Sequence, residues 1–396
     1  MDLHDAPVTA LARRLRLGEL KSVDLLEAHI ARIEAVNPRI NGLVADRYTA
    51  ARAEAAAADA RLQSASPGDE LPPLLGVPCT IKEFLQTTGM PHTGGLLWKR
   101  DDTSSVDATV VARIKAAGAI IMGVSNIPEG GLWMETYNSI YGRTLNPWNP
   151  AQTPGGSSGG EGALVSTGAS PFGIGSDVGG SIRIPAAFCG TVGHKPSGGL
   201  VPNTGHFPAE YPSGAGTYLC TGPLTRTVDD AWLILNILAG PDGEDHACKA
   251  MTLGDPASVD ISKTIAYPMQ GTGRVWIRKD VQRQIDLAAE ALQSQGAEIK
   301  TPDLPLMKHA MDIWASMLSD VSEESYCDIL AEGERLSPWW ELLKLWTGFG
   351  RHTSAALIIA GVDRFVDLIP SRKQRFVQMG HELQASLEAL LSDNGV

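Results

Sequence analysis

Apolar positions in this chain fall first into helical periods, then into alternating short strands and helices, then into helices again. In SVDLLEAHIARIEAVNP, Leu25, Leu26, His29, Ile30 and Ile33 recur at three- and four-residue spacing. That spacing predicts an amphipathic helix with Ser22 as its N-cap and Asn37-Pro38 as its end. The Ala-rich residues 47–63 carry a second apolar stripe and complete a helical layer over residues 1–65, suited to packing or to a subunit contact. After the linker 67–73, an apolar run from Gly76 reads as a short buried strand closing on Lys82. Residues 107–117 read as a helix stopped by Gly118, and 119–124 as a strand. Residues 158–167, 181–188 and 227–238 read as helices, the last with Asp229 and Asp230 in its first turn, and 172–177 as a strand. Such alternation predicts βαβ units and an α/β fold with a mostly parallel or mixed sheet. Further on, 274–277 reads as a strand, and 279–293, 307–332 and 370–391 as helices. Residues 338–349 hold a dense apolar cluster, Trp339, Trp340, Leu342, Leu343, Leu345, Trp346 and Phe349, which fits a lid, core or a dimer contact.

Composition narrows the class. The 396 residues are 43% hydrophobic, enough for a sizeable core. A net charge of −12 argues against a nucleic-acid surface. The five cysteines are odd in number, widely spaced and without a CxxC pair. They read as reduced thiols rather than a disulfide framework or a zinc site. No run approaches a membrane span, and the N-terminal residues lack the apolar core of a secretion signal, so a cytoplasmic protein is expected.

The chemistry concentrates in residues 155–199, far richer in Gly and Ser than a regular element tolerates. Glycines at 155, 156, 159, 160, 179 and 180 permit tight turns and close approach of a ligand to the main chain. Two serine-bearing turns, Gly156-Ser157-Ser158-Gly159 and Gly179-Gly180-Ser181, suggest one nucleophilic hydroxyl and one that assists it. If a helix begins at Ser181, the N–H groups of Val178, Gly179, Gly180 and Ser181 converge on an anion site, which for acyl transfer is an oxyanion hole. A phosphate loop does not fit, because Lys195 is followed by Pro196 and no strand precedes Gly155. Gly156-Ser157-Ser158-Gly159-Gly160 formally matches the GxSxG elbow of an α/β-hydrolase. That elbow needs a strand before it, which Pro147, Pro150 and Pro154 oppose. Its histidine would have to come from His194, His206, His246, His309, His352 or His381, by order alone.

GGSSGGEGALVSTGASPFGIGSDVGGSIRIPAAFCG resembles the signature of the amidase signature family, with GVPCTIKE, DATVVARIKAAGAIIMGVSN, YGRTLNPWNP and GHKPSGGLVPN around it. Within that family it looks nearest the fatty acid amide hydrolase type and the bacterial aryl-amidase and urethanase members. The resemblance implies the family's α/β fold, a central mixed twisted sheet covered on both sides by helices. It implies one domain over 1–396, with the helical layer at 1–65, a catalytic core at 66–240 and a helical, pocket-forming region at 241–396. It places the catalytic lysine at Lys82, the bridging serine at Ser157 after a cis peptide, and the nucleophile at Ser181. It also places the oxyanion donors at Val178, Gly179, Gly180 and Ser181, and supporting residues at Ser158, Asp177 and Arg183. Chains of this type continue past the position of Val396, so the resemblance implies either a C-terminus shortened here or further residues that carry sheet-edge and pocket elements.

The implied chemistry is serine hydrolysis of amides, with esters and carbamates (urethanes) at the same site, and without metal or organic cofactor. Neutral Lys82, desolvated at the end of its strand, would serve as base. Gly130, Gly131, Leu132, Trp133 and Tyr137 are candidates for the pocket, as are the aromatics of 338–349. The expected partner is a small-molecule substrate, with a homodimer allowed. The family also contains the amidase subunit of tRNA-dependent amidotransferases, which remains the alternative.

Overall fold

Apolar runs too short for helices become the strands of one sheet. The computed structural model describes residues 3–66, 68–208, 216, 218–269, 271–322, 325–331, 336–367 and 370–392. Helices α1 (Val8–Arg16) and α2 (Ser22–Ile40) lead to β1 (Leu43–Asp46), α3 (Tyr48–Ser64) and β2 (Pro78–Lys82). Next come α4 (Thr109–Ala116), β3 (Ile120–Ser125) and the two-residue strands β4 (Tyr137–Asn138) and β5 (Gly142–Arg143). Helix α5 (Gly159–Ser166), β6 (Gly173–Asp177), α6 (Arg183–Cys189), β7 (Val192–Gly193), β8 (Cys220–Thr225) and α7 (Val228–Leu238) follow.

The six-stranded sheet has the order β1-β3-β2-β6-β8-β7. Strand β2 runs parallel to β3 and β6, and the other pairings are antiparallel. Every residue of β2, β3, β6 and β8 is buried, so these strands are covered on both faces. Leu26, Ile30 and Ile33 of α2 pack with Ala51 and Ala55 of α3, Ile120 and Met122 of β3, and Leu164 of α5. Each such leucine or isoleucine contributes roughly 1.5–3 kcal/mol relative to exposure.

Helix α2 does not stop at Asn37-Pro38 but runs to Ile40, with Asn41 as a left-handed cap. Burial of Ile40 draws the last turn inward, and proline there forfeits a single N–H. Ser22 is the first helical residue rather than the cap; its hydroxyl donates to Gly76 O at 2.9 Å. Asp59 of α3 takes the capping role instead, accepting from the N–H groups of Ser22 and Val23.

The later chain contains β9 (Ile265–Ala266), α8 (Lys279–Ser294), β10 (Glu298–Ile299), α9 (Ala310–Val321), α10 (Tyr326–Ala331), α11 (Pro338–Trp346), α12 (Ser354–Asp367) and α13 (Pro370–Leu391). Two compact units result: residues 1–251 with 322–361, and residues 252–321 with 362–396. The segment 322–361 joins the first unit because Tyr326, Leu330, Ala356 and Leu357 pack around Leu96. Leu342 and Leu345 of α11 turn onto that cluster, while Trp339, Trp340, Trp346 and Phe349 are exposed. In the second unit β9 and β10 pair in parallel and α9 packs against α13. No strand forms at 274–277; Val275 and Trp276 are 70% and 80% exposed, and Gly271 and Gly273 at positive φ turn the backbone beside them. The helix expected over 307–332 divides into a 3-10 turn, α9 and α10, and its residues 323, 324 and 332 lie outside the described residues. So do residues 209–215 of the loop expected over 201–216, and the chain end at 393–396.

Candidate active site

The register of β2 on β3 sets Lys82 opposite Ser125, at the end of the strand. Strand β6, on the other side of β2, supplies Ser176 and Asp177. Lys82 is 0% exposed. Its Nζ lies 2.7 Å from Ser157 Oγ, 3.0 Å from Ser176 Oγ and 3.4 Å from Ser176 O. The Phe84 ring stands 5.0 Å away. Burial pushes the amine down to about 7; the carboxylates of Asp177 and Glu161 oppose this only in part. Glu161 is itself buried, and burial pushes its carboxyl up to about 7, with one oxygen accepting from Thr80 Oγ1 at 2.6 Å.

The turn that carries Ser157 is shaped by exclusion. A Cβ on Gly156 would lie 2.5 Å from Glu135 O and 2.6 Å from Trp133 O. The Gly156–Ser157 peptide is cis, as the resemblance implied. Ser158, fully buried, donates from Oγ to Ser176 O at 3.2 Å, and its N–H donates to Ser181 O at 3.0 Å. It therefore ties the Ser157 turn to β6 and to Ser181. With no strand before Gly156 and Ser158 buried, the GxSxG match is not an elbow.

Asp177 organises the second turn. Its carboxylate accepts from the N–H of Gly180 at 2.6 Å, Ile182 at 3.0 Å and Arg183 at 3.3 Å. Arg183 adds a two-pronged side-chain contact, Nε and Nη2 each at 3.0 Å. Burial works to raise the Asp177 carboxyl, but the hydrogen bonds and charge of Arg183, with the backbone donors, hold it below the usual carboxylate range. Gly180 sits at φ +123, which L side chains rarely adopt. Helix α6 starts at Arg183, so Ser181 lies in the turn before it rather than at a helix start. Of the four expected oxyanion donors, Gly180 is committed to Asp177. The N–H groups of Gly179 and Ser181 have no protein acceptor among the described residues. Ser181 is half-buried.

The five candidate pocket residues are spread among several contacts. Gly130 is buried, and a Cβ there would meet the Tyr326 ring at 2.9 Å; at Gly131 it would meet the Phe84 ring at 2.6 Å. Leu132 packs on the Leu96 cluster. Trp133 is half-buried, with its Nε1 lacking a hydrogen-bond partner among the described residues. Tyr137 stacks on Arg143 and reaches Ser354 Oγ at 3.5 Å.

Sequence reasoning missed Ser176 and the use of His206. Ser176 Oγ bonds Lys82 and lies 2.8 Å from His206 Nε2. Its position on β6, beside Asp177, was the available signal. His206 carried none, because it reaches the site from a loop.

The sequence model of the Amidase family matches residues 24–349. The chain belongs to the amidase signature family. This amidase is 38% identical to Fatty-acid amide hydrolase 2-A of Danio rerio, over 98% of the chain and 74% of that protein. It is 37% identical to a glutamyl-tRNA(Gln) amidotransferase subunit of Roseiflexus castenholzii, over 79% of the chain and 62% of that protein. Among solved structures it is similar to a bacterial aryl acylamidase of the amidase signature family, at 26% identity and a TM-score of 0.79, covering 98% of this chain and 78% of that one. The amidase is thus an amidase signature hydrolase with the family's α/β fold. Among its described residues no helix is long and apolar enough to cross a membrane.

Proposed function

We propose that the amidase cleaves the C–N bond of small, aryl or hydrophobic acyl amides with Lys82, Ser157 and Ser181, and cleaves esters and carbamates at the same site. One observation carries this reading: a fully buried Lys82 amine 2.7 Å from Ser157 Oγ, on a turn hydrogen-bonded to Ser181. A serine hydroxyl is a poor nucleophile until a base takes its proton, and a buried lysine supplies that base once neutral. Ser181 Oγ bonds to the acyl carbon while its proton passes to Ser157 Oγ and the Ser157 proton passes to Lys82 Nζ. The carbonyl π electrons move to oxygen, where the N–H groups of Gly179 and Ser181 hold them. The C–N bond then breaks, and the proton returns through Ser157 to the leaving amine. Water repeats the sequence on the acyl-enzyme, releasing the acid and free Ser181. The −12 charge favours neutral or cationic substrates over polyanions.

The test is turnover by the purified single chain on matched aryl amides, esters and carbamates of rising acyl length, beside its Ser181→Ala variant. The expected result is turnover of all three classes and its loss in the variant. Residual kcat above a tenth of wild type in Ser181→Ala would overturn the nucleophile assignment. Activity confined to glutamine would favour the amidotransferase reading, which the similarity to the Roseiflexus castenholzii protein keeps in view.

A further inference from the structure

The Lys82 amine must present its lone pair, not an N–H, to Ser157. A neutral amine has two N–H groups and one lone pair at roughly tetrahedral directions, so what the N–H groups do decides where the lone pair goes. Around Lys82 Nζ stand three oxygens: Ser157 Oγ, Ser176 Oγ and Ser176 O. The carbonyl can only accept. The Ser176 hydroxyl can do either, and if it donates to Nζ it occupies the lone pair that Ser157 needs.

His206 removes that choice. Its Nε2 lies 2.8 Å from Ser176 Oγ, and its Nδ1 faces Pro208 O at 3.5 Å. A carbonyl only accepts, so the ring proton belongs on Nδ1 and Nε2 is left as the acceptor. The Ser176 proton then points at His206, and its lone pairs face Lys82. Both Lys82 N–H groups go to Ser176, and the lone pair is left for Ser157. We propose that His206 is a positioning residue that orients the Lys82 lone pair toward Ser157 by holding the Ser176 proton. It touches neither substrate nor reacting atom.

His206 is buried between β2 and the loops at its end, with the Phe84 ring 5.7 Å away. The titratable groups acting on it are Lys82, in β2, and His92, beyond it. Burial first, then the Lys82 charge, hold its imidazole down to about 3, so it stays uncharged wherever Lys82 can titrate. Asp177 and Glu161 act on Lys82.

The proposal rests on Lys82 being the base, and the experiment separates the two. The pH profiles of kcat and kcat/KM are measured for wild type, His206→Phe, His206→Gln, Ser176→Ala, the Ser176→Ala/His206→Phe double variant and Lys82→Ala. In His206→Phe the freed Ser176 proton stabilises the neutral amine by competing for its lone pair. The expected result is kcat lower by roughly 10- to 100-fold, part of what a positioned base supplies, with KM little changed. The acid limb should move to lower pH by roughly one unit, the size one hydrogen bond sets. His206→Gln, which keeps an acceptor near Nε2, should restore most of the turnover and the wild-type limb. In the Ser176→Ala background His206→Phe should have no further effect, because the competing proton is gone. A folded His206→Phe with the wild-type acid limb, or an equal loss in the Ser176→Ala background, overturns the proposal. His206→Asn, too short to reach Ser176, takes the place of His206→Phe if that variant does not fold. If Lys82→Ala keeps wild-type turnover and acid limb, the reading of Lys82 fails instead.

Discussion

Lys82 is asked to be two things: part of a buried strand and a base. A lysine in water holds its proton to about 10.5, and burial lowers that to about 7 here. The unfolded chain therefore binds more protons between these values, and stability rises with pH across that window. Below about 7 the burial cost is present in full, about 5 kcal/mol, and it fades toward pH 10.5. The amine's hydrogen bonds offset about 1 kcal/mol each. Lys82→Met is thus expected to be inactive yet to unfold at higher temperature than wild type at pH 7, with the gap closing by pH 10. Calorimetry across that range checks it, and a pH-independent gap would contradict a buried, titrating amine. Catalysis makes the same demand, since only the neutral form has a lone pair. Wild-type kcat/KM should climb through about pH 7 from the acid side, and a flat profile from pH 5 to 9 would argue against a lysine base.

The turn between β6 and α6 depends on Asp177 far more than on its partner Arg183. Asp177 is fully buried and accepts five hydrogen-bond donors, whereas the Arg183 side chain is 54% exposed. An exposed ion pair contributes roughly 0–1 kcal/mol, while losing the acceptor of several buried N–H groups costs roughly 1–3 kcal/mol for each. Asp177→Asn should therefore lower kcat by roughly 100-fold or more through the displaced N–H groups of Gly179 and Ser181, with the greater loss of stability. Arg183→Ala should cost less than about 10-fold. Equal losses, measured by steady-state kinetics and thermal unfolding, would mean that the ion pair and not the carboxylate shapes the turn. The sequence made this region legible because glycine and serine at such density fit only turns, whereas Lys82, a charge closing a mostly apolar run, is singled out only by the family resemblance. What it hid were contacts made at long range. Nothing near Ser22 announces that Asp59 will cap its helix, and nothing near His206 points to Ser176. The 274–277 strand failed for a related reason: apolar alternation predicts a strand only when a neighbour covers it, and Val275 and Trp276 are not covered.

The proposed catalytic residues all lie in the first unit, drawn from β2, the turn before α5 and the turn after β6. Residues 322–361 return to that unit through Tyr326, whose hydroxyl donates to Glu129 O at 2.8 Å, and through His352 and Thr353, which donate to the buried Glu129 carboxylate. The sequence pattern grouped this segment with the helical region 241–396 of one domain and did not show its tie to Glu129, because the contacts that recruit it span some 200 residues. The elements that hold the site were legible because they are strands and turns packed into one sheet. In the proposed mechanism Ser181 attacks and Lys82, through Ser157, makes it able to. The most direct measurement is peptide mapping of the purified chain after reaction with a fluorophosphonate, beside Ser181→Ala and Lys82→Ala. A single phosphonate adduct is expected on Ser181, absent from Ser181→Ala and formed far more slowly in Lys82→Ala. An adduct on Ser157 or Ser158, or wild-type labelling of Ser181→Ala, would contradict it.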